Sequence, residues 1–175
     1  MAVGLLLIRV VLGLLLVGHG TQKLFGWFGG GGPAGTGAFF DSVGYRPGRG
    51  MALLAGLAEL TGGTLLALGL LTPLGSAIVM GVMLAAVAIH TANGLWVSNG
   101  GYETPLLYAI TALGLAFTGP GGYSLDRLLG LSWSWEYGVG AALLALVTAV
   151  PLVALRFRRV STQPAKQRSG LRSAA

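Results

Sequence analysis

Long apolar runs alternate with short connections rich in glycine, proline and aromatic residues, and this pattern leaves the chain few folds to adopt. The run 51–71 holds twenty-one residues and one charge, Glu59. As a helix it would rise about 30 Å, the thickness of a bilayer's hydrocarbon core. Further runs cover 3–24, 74–97, 105–118 and 137–157. Hydrophobic residues make up 54% of the chain and charged residues 9%, far below the roughly 25% charge of soluble domains. Lipid offers no partners for backbone amides, so each run is predicted to be helical. The expected fold class is all-α, an integral membrane helical bundle.

The connections support this division. Leu71-Thr72-Pro73 reads as a tight stop and restart, because proline cannot continue the preceding hydrogen-bond ladder. Thr104 is expected to cap a helix with Pro105 at its first position. Gly119-Pro120-Gly121-Gly122 is a turn, after which Ser124 can cap a short helix over 125–129 with Asp126 at its positive end. Trp133, Trp135 and Tyr137 fall where an interfacial aromatic belt belongs. The run 105–118 has only fourteen residues and is the shortest of the five. Residues 1–17 lack a basic start, carry Arg9 and show no small-residue cleavage pattern, so they read as a retained first helix. The connection 25–50 is glycine-rich yet holds six aromatic residues. It is expected to lie in the interface or fold back over the bundle as a lid.

The net charge is +6, concentrated in the tail at Arg156, Arg158, Arg159, Lys166, Arg168 and Arg172. Positive residues collect on the cytoplasmic side of membrane proteins, so no nucleic-acid partner is needed to explain them. Lys23, Arg46 and Arg49 share that side with the tail if there are five spans. This puts the N-terminus outside and the C-terminus in the cytoplasm of a multi-pass plasma-membrane protein. The absence of cysteine removes disulfides, iron–sulfur clusters and thiol redox couples from the chain.

Ionisable groups within apolar spans are costly and mark candidate chemistry. Ala55, Glu59, Gly63 and Ala67 recur at four-residue spacing and share a helix face of small residues. Val82, Ala86, His90 and Gly94 do the same in the third span. Glu59, His90 and His19 are expected to converge in the inner half of the membrane, and Arg9 offers an alternative partner for Glu59. The competing reading is a structural ion pair that fixes helix register. A haem held by His19 and His90 rests on two histidines alone. A metal site of Glu59, His19 and His90 lacks a ligand-spacing signature, and none is expected.

Four motifs then carry a family resemblance. His19-Gly20-Thr21-Gln22-Lys23-Leu24-Phe25-Gly26 closes the first span. Glu59-Leu60-Thr61-Gly62-Gly63 is followed by Gly69-Leu70-Leu71-Thr72-Pro73. His90 precedes Gly101-Tyr102-Glu103, and Gly119 to Asp126 reads GPGGYSLD. In that order, across about residues 5–129, they resemble the DoxX family. The resemblance implies a four-helix membrane core over 1–130. A C-terminal span at 131–157 and a basic cytoplasmic tail at 158–175, expected to be disordered, depart from it.

Family names trace to subunits linked to quinol oxidase and thiosulfate–quinone oxidoreduction. The resemblance therefore implies a quinone-linked, redox-associated membrane subunit, with the alternative of an anchor or assembly factor for soluble redox enzymes. Glu59, His90 and His19 are the candidate catalytic groups, and Lys23, Arg9 and Glu103 the candidate ligand-binding ones. A transporter reading lacks an internal repeat. Partners expected are the bilayer and soluble redox proteins, with self-association left open.

Overall fold

The computed structural model describes residues 2–161. It consists of helices α1 (Ala2–Phe25), α2 (Gly32–Ser42), α3 (Gly48–Leu68), α4 (Thr72–His90), α5 (Glu103–Thr118), α6 (Leu125–Leu128) and α7 (Trp135–Ser161), joined by turns that include short 3-10 segments. No strand occurs among the described residues. α1, α3, α7 and the stretch Thr72–Asn93 are long and apolar enough to cross a membrane. α5, with sixteen residues, rises about 24 Å. It packs beside α4 and α7 and carries the chain from one end of the bundle to the other. The tail beyond 161 lies outside the described residues, whereas Arg158 and Arg159 form the last turn of α7.

Glycine sets the closest helix contact. A Cβ built on Gly63 would lie 2.6 Å from the Gly13 carbonyl oxygen, and one built on Gly20 2.8 Å from that of Gly56. α1 and α3 therefore touch backbone to backbone, the small-residue packing that replaces the hydrophobic effect between helices in lipid. Around this seam Leu12, Leu16, Leu66, Val79 and Met83 make an apolar core with alanines of α5 and α7.

Several boundaries differ from the sequence expectation. α3 ends at Leu68 because Gly69 turns left-handed (φ 62°) and the Leu70 amide bonds back to the Leu65 carbonyl at 2.9 Å. α4 stops at His90, short of 97, where a 3-10 turn leads into Gly94. Thr104 is not a cap: α5 already begins at Glu103, and Tyr102 stands before it. The connection 25–50 contains a helix, α2, started by Pro33.

Ser124 does cap α6, its hydroxyl accepting from the Arg127 amide at 3.2 Å. The Asp126 carboxylate, fully buried, serves α4 instead of its own helix. It accepts from the Leu71 amide (2.7 Å), the Thr72 amide (3.0 Å), the Thr72 hydroxyl (2.8 Å) and the Trp133 indole (2.8 Å). Trp133 is thus a structural donor, while Trp135 and Tyr137 are exposed as belt residues would be. Two of the four motifs thus meet at this end through Asp126, and Arg9 Nη1 donates to the Ala67 carbonyl nearby at 2.8 Å.

Gly63→Val should overpack the α1–α3 seam and cost about 1–3 kcal/mol, seen as a lowered unfolding temperature in detergent. Gly140→Ala, where an added Cβ meets open space, should leave it unchanged or slightly raised. Asp126→Ala leaves buried donors without an acceptor and should cost at least about 3 kcal/mol by the same measurement.

Candidate functional site

At the opposite end the helices part around a cavity of about 500 Å³. Its walls come from α2 (Thr36, Phe39, Phe40), α3 (Ala55, Ala58, Glu59), α4 (Val82, Ala86, His90) and α7 (Thr148, Leu152), with Gln22 and Lys23 entering from α1. Most of this surface is apolar. The exception is an ion pair: Lys23 Nζ stands 2.6 Å from Glu59 Oε2, with side-chain exposures of 20% and 5%.

The glycine seam explains how that pair forms. Gly56 sits one turn before Glu59, and a Cβ there would lie 2.7 Å from Leu24 Cγ and 3.2 Å from Lys23 Cβ. With hydrogen in its place, the end of α1 lies flat on α3 and the Lys23 side chain reaches the carboxylate. Lys23 Nζ also approaches the His19 carbonyl at 3.5 Å. A buried ion pair persists when each charge offsets the other's desolvation, and here Glu59 has a cation to do so.

The candidates from sequence divide into three groups. Glu59, Lys23 and His90 all face the cavity. His90 Nδ1 donates to the Gly100 carbonyl at 2.9 Å, so in the neutral ring Nε2 is the nitrogen left to accept a proton. His19 does not line the cavity. Its Nδ1 donates to Gln22 Oε1 at 3.1 Å, and its ring lies 6.3 Å from that of Tyr108. Of the three groups expected to converge, Glu59 and His90 both line the cavity, while His19 lies outside that lining yet close enough to act on Glu59 electrostatically, and Lys23 is the carboxylate's bonded partner. Arg9 and Glu103 stand apart. Arg9 ties α1 to the end of α3 at the far end of the bundle and does not pair with Glu59. Glu103 accepts from the Val97 amide at 2.9 Å and orders the α4–α5 connection. Among the described residues no three His, Asp or Glu side chains gather as a metal would require.

Sequence reasoning overlooked Tyr45, Gln22 and Thr148. Tyr45 lines the cavity and donates from its hydroxyl to the Ala85 carbonyl at 3.1 Å. Burial pushes its phenol up to about 12, with Arg156 acting in the opposite direction, so it stays neutral and a donor at physiological pH. Its aromatic neighbours Phe39 and Phe40 disguised it as one more greasy loop residue.

The family model described as DoxX matches residues 4–92, about half the chain and both halves of the ion pair. The chain belongs to the DoxX family. It is also 32% identical over 132 residues to "Inner membrane protein YqjF" of Escherichia coli (strain K12), a match covering 75% of this chain and 95% of that protein. No solved structure matches the chain significantly. This DoxX protein is a multi-pass inner-membrane protein, and its family match stops before α5, α6 and α7. Three walls of the cavity, α2, α3 and α4, thus belong to the matched region with Gln22 and Lys23, whereas Thr148 and Leu152 do not.

Lys23→Met should strand the Glu59 carboxylate and destabilise the protein by about 3–5 kcal/mol. The double variant Lys23→Met/Glu59→Gln should recover most of that loss, as measured by thermal unfolding in detergent. A double-variant loss equal to the sum of the losses in Lys23→Met and Glu59→Gln would show that the pair contributes no coupling.

Proposed function

We propose that the cavity binds a membrane quinone and that the Lys23–Glu59 pair handles the protons of its redox change. The observation that carries this reading is one close ion pair set in the wall of a largely apolar cavity of about 500 Å³. Ligand sites of such size combine apolar walls with a few placed polar groups. An isoprenoid-bearing ring has the matching character, with carbonyl oxygens at its head and hydrocarbon elsewhere. Lys23 would donate to a ring carbonyl oxygen. Glu59, already hydrogen-bonded to Lys23, would pass protons, and His90 would do so from the α4 wall through Nε2. A quinone becomes a quinol by taking two electrons and two protons. The electrons come from a partner, for which we propose a soluble redox protein, in line with the redox associations of the family resemblance.

The distribution of charge supports an orientation. Lys23, Arg46, Arg49, Arg156, Arg158 and Arg159 lie at the cavity end, against Asp41 and Glu103. By the positive-inside rule that end is cytoplasmic, which puts the N-terminus outside and the redox partner on the cytoplasmic face.

Decylubiquinone should quench the tryptophan fluorescence of the protein in nanodiscs saturably. Glu59→Gln and Lys23→Met/Glu59→Gln should each weaken this binding about tenfold, or 1.4 kcal/mol. Absence of saturable quenching in the wild type, or unchanged affinity in both variants, refutes the proposal.

A further inference from the structure

The last helix contributes more to the cavity than a wall. One turn beyond Leu152, Arg156 turns away from lipid and is only 9% exposed. Its Nε donates to the Val43 carbonyl at 3.0 Å, and its guanidinium lies 6.0 Å from the centre of the Tyr45 ring. Gly44 lets α7 come this close: a Cβ there would sit 2.8 Å from Val160 Cγ2. Tyr45 in turn bonds the α4 backbone at Ala85. Just before the turn, Asp41 accepts from the Gly48 amide at 2.8 Å. The C-terminal end of α2 is therefore clamped between α3, α4 and α7.

The N-terminal end of α2 is built differently. The chain reaches it through Gly26, Gly29 and Gly32, all at positive φ (72°, 76° and 58°), with Phe28 also left-handed at 52°. Glycine adopts these angles at no steric cost and leaves them as readily, whereas Phe28 is held there against its preference. One side-chain bond, from Gln22 Nε2 to the Phe28 carbonyl at 3.3 Å, ties this connection to α1. Gly30 seats on α1 so closely that an added Cβ would lie 2.6 Å from Gln22 Cβ. Between the two ends, Thr36, Phe39 and Phe40 cover the cavity.

We propose that α2 is a gate that pivots on its clamped C-terminal end, with the glycines at 26–32 supplying slack. Arg156 is the positioning residue that sets how firmly the gate closes, acting through Val43 and Tyr45. It lies outside the matched region 4–92, so closure of the cavity is assigned to a part of the chain the family model does not describe. The inference takes the cavity as the binding site proposed above. Its test reads access to the cavity and not quinone affinity, so the two readings fail separately.

The chain contains no cysteine, so Ala55→Cys on the α3 wall supplies a single reporter for N-ethylmaleimide labelling in nanodiscs. Adding Arg156→Ala should accelerate labelling about fivefold, the effect of losing one net hydrogen bond that opposes opening. Arg156→Lys should restore part of the protection. An unchanged rate in Arg156→Ala overturns the proposal. Should Arg156→Ala fail to purify as a monodisperse protein, Tyr45→Phe removes only the bond to Ala85. It should also label faster, and no change there overturns the proposal equally.

Discussion

Backbone contact between α1 and α3 is the constraint on which the cavity end depends. Gly13 and Gly63 bring the two helices together in mid-span, and Gly20 and Gly56 continue the contact toward the ends of the helices. The helices cannot slide along such a seam without driving a Cα into a carbonyl. Their register is thereby set, and register decides that Lys23 stands over Glu59. A larger residue at Gly56 would lift the end of α1 and separate the charges. The ion pair is thus a product of packing as much as a cause of it.

The two ends of the bundle are organised on different physical terms. At one, Asp126 gathers amides, a hydroxyl and an indole, and Arg9 ties in the end of α3, beside a smaller pocket lined by Leu71, Pro73 and Trp133. At the other, aromatic side chains of α2 lie over a cavity whose single strong polar feature is Lys23–Glu59. Satisfied buried networks rigidify a structure, whereas apolar contacts over a cavity are readily exchanged. That contrast suits the ligand-admitting role proposed for the cavity.

Four of the five expected spans were legible from sequence because hydropathy over about twenty residues has no other solution in a membrane. Glu59 and His90 were also legible as cavity groups, since small residues at four-residue spacing marked their faces. Lys23 was placed among the ligand-binding candidates but not recognised as the partner of Glu59, because depth along a helix does not reveal which helix lies alongside. Arg9 misled for the same reason: its charge suggested Glu59, but its position near the start of α1 puts it at the opposite end of α3. Asp126 reads in sequence as a charge at the positive end of its own short helix, whereas the backbone amides it accepts from are fifty-four and fifty-five residues away. Nothing in the sequence spacing of Arg156 and Val43, 113 residues apart, announced their contact.

The Asp126 arrangement also bears on biogenesis. The corner between α3 and α4 exposes two amides at Leu71 and Thr72 whose acceptor is synthesised only after α5. While the ribosome is still making the intervening residues, that corner must rely on water or lipid headgroups. It becomes self-sufficient when α6 folds back beneath it and Trp133 closes over the carboxylate. The hairpin of α3 and α4 is therefore completed only by a segment more than fifty residues further along the chain.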